Sequence, residues 1–93
     1  MAIQSFACQD TEILFHGRRV LWLVGIETVA MRKLAMLHRA ATLTDLRVPP
    51  GNRLEALKGK RKGQHSIRIN DQWRICFTWT EAGPQGVEIV DYH

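Results

Sequence analysis

The last three residues, Asp91-Tyr92-His93, set a carboxylate, a phenol and an imidazole side by side. Upstream lies the most basic stretch of the chain. Between Arg47 and Trp79 stand eight cations (Arg47, Arg53, Lys58, Lys60, Arg61, Lys62, Arg68, Arg74) against two acids, Glu55 and Asp71, which leaves +6. Residues 1–46 carry only +1 and residues 80–93 carry −3. Cations beside a titratable set are what RNA cleavage without a metal needs. The 2′-hydroxyl must lose a proton, the leaving 5′-oxygen must gain one, and fixed cations must hold the phosphorane's extra charge. The same residues have plainer readings. A terminal histidine is commonly part of a frayed end, and a basic face can hold phosphates without cutting them.

Other chemistries find little support. There is no phosphate-cradling glycine loop, no GxSxG elbow, no HExxH and no pair of carboxylates at helical spacing. Cys8 and Cys76 lack CxxC spacing and lie in apolar, strand-like runs, which suits free buried thiols better than a metal site. No metal and no cofactor is expected. No run of about 18 apolar residues is present, so no membrane span is expected, and nothing resembles a signal peptide. A cytoplasmic protein of 93 residues, forming one domain over residues 1–93, is the expectation.

The elements that must position these groups divide at Pro49-Pro50-Gly51-Asn52. Before the break, Ile3–Ala7 alternates like a strand. Thr11–Phe15 reads as a short helix capped by Asp10 or Thr11 and stopped by Gly17. A longer helix is predicted from Ile26 to Ala41, with Ile26, Ala30, Leu34, Leu37 and Ala41 in one core-facing stripe flanked by Val29 and Leu43. After the break, strands are predicted at Leu54–Leu57, His65–Ile69, Trp73–Trp79 and Val87–Tyr92, with a turn over Glu81–Gly86. Asn70-Asp71 is good turn chemistry between the second and third. Period 2 puts Arg68 and Arg74 opposite their apolar neighbours, and puts Asp91 and His93 on one face with Tyr92 on the other. Helices followed by an antiparallel sheet give an α+β fold, with N-terminal helices packed on one sheet face.

One surface is more apolar than a solvated helix requires. Opposite the core stripe lie Thr28, Met31 and Ala35, with His38 beside them, and Leu21-Trp22-Leu23-Val24 comes just before. Trp22 either closes the core or anchors a protein partner.

The combination Pro49-Pro50-Gly51-Asn52, Leu57-Lys58-Gly59, Ser66 through Arg74 and Asp91-Tyr92-His93 resembles the plasmid-maintenance killer proteins, the HigB branch of the RelE-like toxins. The resemblance runs from Phe6-Ala7-Cys8 to the last residue. It implies a fold like that of microbial ribonucleases and a ribosome-dependent mRNA interferase, with mRNA, ribosome and a cognate antitoxin as partners. By matching position, Asp91, Tyr92 and His93 correspond to the family's catalytic cluster. Glu55 stands where some relatives place an acid/base histidine, and Lys58 and Arg74 match residues that stabilise the scissile phosphate. The resemblance likewise assigns Arg61 and Arg68 to the RNA backbone, and Arg53 of the basic stretch is expected to bind RNA with them. His65 fills a slot that is often aromatic or imidazole in relatives, which implies base stacking; the other reading is a half-buried strand histidine.

The chain departs from the family in two places. Lys60 stands where Asp is common, and Val20–His38, typically rich in Arg and Lys, here holds Leu21, Trp22, Met31, Ala35 and Met36. With Thr28, these five form the expected protein interface, for the antitoxin or for another protein. Two alternatives follow: a protein-binding scaffold, natural or rebuilt on a toxin fold around Trp22 and Met31, and an RNA-binding module without catalysis.

Overall fold

The computed structural model describes residues 2–92. Alternation in the C-terminal half yields four antiparallel strands in sequential order, β1 (Glu55–Ala56), β2 (His65–Arg68), β3 (Trp73–Thr80) and β4 (Gly83–Asp91). Helices α1 (Gln9–Phe15) and α2 (Glu27–Arg39) cover one sheet face, so the fold is α+β as expected. Ile67, Ile75 and Ile89 pair in one row across β2, β3 and β4. They meet Leu14 of α1 and Ala30, Leu34 and Leu37 of α2 in a closed core with Phe77 and Val87. Each such aliphatic side chain contributes about 1.5–3 kcal/mol by leaving water.

Several boundaries differ from the expectation, each for a local reason. Residues 3–7 do not form a strand. They make a single parallel bridge, Phe6 to Val87, with Ala7 N–H donating to the Val87 carbonyl at 3.0 Å and Val87 N–H to the Ser5 carbonyl at 3.1 Å. Helix α1 starts at Gln9, because Thr11 is needed inside: its buried Oγ1 accepts from the Ile89 N–H at 3.0 Å. Gly17 does end α1. Its φ of +88° lets Gly17 N–H reach the Leu14 carbonyl (2.9 Å) and Arg18 N–H reach that of Ile13 (3.2 Å), a Schellman closure.

Helix α2 stops at Arg39. Ala40 turns extended and is buried where Ala41 was expected, and Ala41 is exposed. The strands shift as well. β1 keeps only two residues, β2 ends at Arg68, and β3 runs on to Thr80. β4 begins at Gly83 rather than Val87 and ends at Asp91. The final hairpin therefore turns on Glu81-Ala82, and a bulge between Cys76 and Thr78 absorbs the register change.

The linker from α2 to β1 is pinned by polar contacts. Thr42 and Asp45 form a capping box for the 3₁₀ helix Leu43–Arg47. The N–H groups of Thr42 and Ala41, both bonded to the Asp45 carboxylate, hold its pKa below the ordinary value. Asn52 is fully buried: its amide donates to the Leu46 carbonyl at 3.1 Å, and its oxygen accepts from the ammonium of Lys33, itself only 6% exposed. Removing Asn52 would strand a buried ammonium and a buried carbonyl. Asn52→Ala is expected to lose roughly 2–3 kcal/mol of stability in urea unfolding.

Burial first, then Arg32 and Arg68, lower the pKa of Lys33. Above that lowered value the native chain has released a proton that the unfolded chain holds until its ordinary pKa near 10.5. The unfolded state then binds more protons, so this group's contribution to stability rises with pH across that window. Comparing pH-dependent unfolding of the wild type with Lys33→Met should show that the substitution removes this rise.

Candidate functional site

The helix-free face of the sheet carries the polar side chains. Glu55, Ser66, Cys76 and Glu88 pair in one row across all four strands, and Arg68, Arg74 and Val90 form the next. Alternation thus places Arg68 and Arg74 where the sequence put them, directly opposite each other.

Arg74 is the centre of this face and is fixed before any ligand arrives. Its Nε–H donates to Ser66 Oγ at 2.7 Å and an Nη2–H to the Arg53 carbonyl at 2.7 Å. Glu55 Oε1 stands 3.7 Å from the same Nη2, and the Arg74 side chain is only 12% exposed. Arg53 is held at φ +45° directly after the 3₁₀ helix Pro50–Asn52, so the Asn52 linker presents the carbonyl that Arg74 uses. A guanidinium held in this way needs no reorganisation to meet a phosphate.

Arg61 flanks the face from the loop between β1 and β2. It bonds Glu88 at 2.8 Å and Gln64 at 3.1 Å, and the Glu88 bond raises its pKa. Arg68 pairs with Asp71 in the turn. Lys58 lies exposed just after β1. Tyr92 is near enough to Arg61 for a coulombic interaction, on the Arg74 side of the sheet. Among the described residues, no group of three or more His, Cys, Asp or Glu side chains is arranged to hold a metal ion.

Two expected members lie elsewhere. Asp91 pairs with Trp73, so its side chain belongs to the helix-covered face, where it accepts from Gln72 Nε2 at 3.1 Å. His65 pairs with Phe77 and stacks on it at 6.3 Å, again away from Arg74, because Ser66 beside it takes the open face. His93 lies outside the described residues. Sequence reasoning missed Ser66, Cys76 and Glu88, although the alternation that placed Arg68 and Arg74 also places them.

The expected protein interface is not one patch. Leu21 is 86% exposed and Trp22 48% exposed, yet Trp22 packs at a tilt against Trp73 (ring centroids 5.5 Å apart) and donates from Nε1 to Asp10 Oδ2 at 2.6 Å. Thr28 and Met31 line a groove of about 280 Å³ with Leu14, Arg18 and Arg19. Met31 also packs on the core edge, so it is not the open solvent-face residue the periodicity suggested. Ala35 is half-buried. Met36, some 140° around α2 from Met31 at about 100° per residue, turns to Asn52 and accepts weakly from its amide at 3.7 Å.

Residues 19–93 match the family model of the RelE-like toxin of type II toxin–antitoxin system HigB. The chain belongs to that family. It is 50% identical over 58 residues to Toxin HigB-1 of Vibrio cholerae serotype O1, across 62% of this chain and 61% of that protein. It is 41% identical over 51 residues to an uncharacterized protein of Haemophilus influenzae, across 55% of this chain and 50% of that one. The matched regions thus span about half to three fifths of these curated relatives. This HigB-like toxin therefore has the RelE-like arrangement of helices on an antiparallel sheet, and no helix among its described residues is long and apolar enough to cross a membrane.

Cys76 lies buried in the row of Ser66 and Glu88 on the polar face, and that burial raises its thiol pKa, with Arg61 opposing the rise. Half-buried Cys8 is expected to alkylate first at pH 8, with Cys76 unmodified until the chain unfolds. Mass spectrometry of the labelled peptides checks the order.

Proposed function

We propose that this HigB-like toxin is a ribosome-dependent mRNA interferase whose site is the sheet face around Arg74. The observation that carries the reading is the immobilised guanidinium of Arg74 with the Glu55 carboxylate 3.7 Å away. A ground-state surface cation needs no such anchoring, whereas charge that develops on a phosphorane rewards it.

In this reading Glu55 takes the proton from the 2′-hydroxyl, and O2′ bonds to phosphorus. Arg74 and Lys58 hold the equatorial oxygens. The bond from phosphorus to O5′ breaks, and that oxygen receives its proton from the Tyr92-His93 end of the chain, Tyr92 lying within coulombic reach of Arg61. The products are a 2′,3′-cyclic phosphate and a free 5′-hydroxyl. Arg53, Arg61 and Arg68 hold the strand on either side, while the position of His65 behind the sheet edge takes it out of stacking on the open face.

Arg74→Ala is expected to slow single-turnover cleavage of ribosome-bound message on the order of 10²–10³-fold. Arg74→Lys keeps the charge but loses the fork and should recover only part of that rate. Circular dichroism and urea unfolding separate lost chemistry from lost fold. Full activity in Arg74→Ala would remove the site. RNA affinity should also fall steeply with salt, each phosphate contact contributing about −0.7 to −0.9 to the log–log slope.

A protein partner, the cognate antitoxin in this reading, docks where Leu21, Trp22 and Val24 are exposed together in the 3₁₀ helix Leu21–Ile26. Leu21→Asp is expected to weaken that complex by more than about 2 kcal/mol while leaving the melting temperature unchanged. Trp22→Ala should cost both, because Trp22 also packs on Trp73. Equal binding by Leu21→Asp in calorimetry would move the contact elsewhere.

A further inference from the structure

The turn between β2 and β3 holds one side chain that the cleavage reading leaves idle. Asn70 closes this turn, its Oδ1 accepting from the Gln72 N–H and the Trp73 N–H, each at 2.8 Å. Asp71 is tied to Arg68 by an ion pair. On the other side, Trp73 packs against Trp22, which is itself bonded to Asp10. Gln72 therefore projects from a braced backbone.

Both ends of Gln72 grip the last part of β4. Its carbonyl accepts from the Tyr92 N–H, which carries the β3–β4 ladder one bond beyond the Trp73–Asp91 pair. Its side-chain Nε2 donates to Asp91 Oδ2 at 3.1 Å, across 19 positions of sequence. Side chains alternate along an extended strand, so a ladder carried to Tyr92 turns the phenol to the face of Arg74 and Val90 while Asp91 points the other way. Gln72 and Asp91 are both exposed, where a hydrogen bond exchanges with water and contributes modestly to the fold. Its worth lies in direction, because a proton donor serves a reaction only from a fixed place.

We propose that Gln72 is a positioning residue for the cleavage step, and that Asp91 acts through it. The pair fixes Tyr92 on the face where Arg74 holds the phosphate; Asp91 accepts a hydrogen bond and moves no proton. This rests on the cleavage reading, in which the 5′-oxygen takes its proton from Tyr92-His93. It separates two roles that the family resemblance gave to one cluster.

The test follows single-turnover cleavage of ribosome-bound message whose scissile 5′-oxygen is either kept or replaced by sulfur. In the sulfur message O2′ bonds to phosphorus, the bond from phosphorus to sulfur breaks, and the electron pair leaves on sulfur as a thiolate. That leaving group needs no proton, since a thiol, with an ordinary pKa of about 8.5, is a far stronger acid than an alcohol. At saturation, Gln72→Ala and Asp91→Ala are each expected to slow the natural message roughly 10- to 100-fold and the sulfur message less than about threefold. The double variant should be no slower than either single one, because both remove the same contact. Asp91→Asn keeps an acceptor oxygen for Gln72 and should recover most of the rate, which a carboxylate engaged in proton transfer would not allow. Urea unfolding of each variant controls for the fold. On the free chain, Gln72→Ala should also lower the NMR order parameter of the Tyr92 amide.

Full speed in Gln72→Ala, an equal loss with the sulfur message, or additive losses in the double variant would each overturn the assignment. So would an Asp91→Asn chain as slow as Asp91→Ala. The two readings fail separately. A wild type that cuts no message, with a Tyr92 amide that Gln72→Ala loosens, would sink the cleavage reading and keep the hold of Gln72 on Tyr92. Normal cleavage by the wild type, with full speed and an unchanged Tyr92 amide in Gln72→Ala, would do the reverse.

Discussion

The pairing of β2 with β3 sets both halves of the molecule at once. Ile67 faces Ile75, and Arg68 faces Arg74 one residue on. Side chains alternate across a sheet, so this one register sends the isoleucines to α1 and α2 and the arginines to the open face. A slip of one residue would put guanidinium groups in the core and isoleucines in water. The hydrophobic core therefore enforces the position of the cations. Burying the Ile67–Ile75–Ile89 row against Leu34 and Leu37 is what makes Arg74 a fixed charge.

The second support comes from the linker. Arg74 is held by a side chain of β2, Ser66, and by a backbone carbonyl of the segment that Asn52 ties down. Asn52 reaches Lys33 in α2 and the Leu46 carbonyl, so the helical half is coupled to the site through a buried polar contact. Arg61 and Glu88 brace the opposite side of the same row. The electrostatic character follows: the basic stretch carries +6, but several of its guanidinium groups are already engaged, which makes them positioned charges rather than a diffuse field.

Much of this was legible in the residues. Alternation located β2 and β3 to within a residue, and the helical stripe named Ala30, Leu34 and Leu37 correctly. What was not legible has physical causes. Gly83-Pro84-Gln85-Gly86 reads as turn chemistry, yet these residues extend β4, because the N-terminal segment lies alongside and Gln4 N–H bonds the Pro84 carbonyl at 2.7 Å. The run Leu21–Val24 looked uniformly apolar, but a 3₁₀ helix repeats every three residues. Val20 and Leu23 turn inward together and Leu21 is left in solvent. Lys33 and Asn52 are polar residues whose burial depends on each other across 19 positions, a pairing no local pattern announces. His65 lies behind the sheet edge because Ser66 occupies the open face, and the resemblance to relatives carried residue type without side-chain direction.

Cleavage at the Arg74 face, as proposed, requires attack of a neighbouring 2′-hydroxyl. The most direct measurement replaces that one hydroxyl with hydrogen at the scissile nucleotide of a ribosome-bound message and follows cleavage by the wild-type toxin. Cleavage is expected to stop at the altered nucleotide while the ribosome complex still forms, and the unmodified message is expected to yield a 2′,3′-cyclic phosphate. Cleavage of the deoxy-substituted message at the same bond would contradict it.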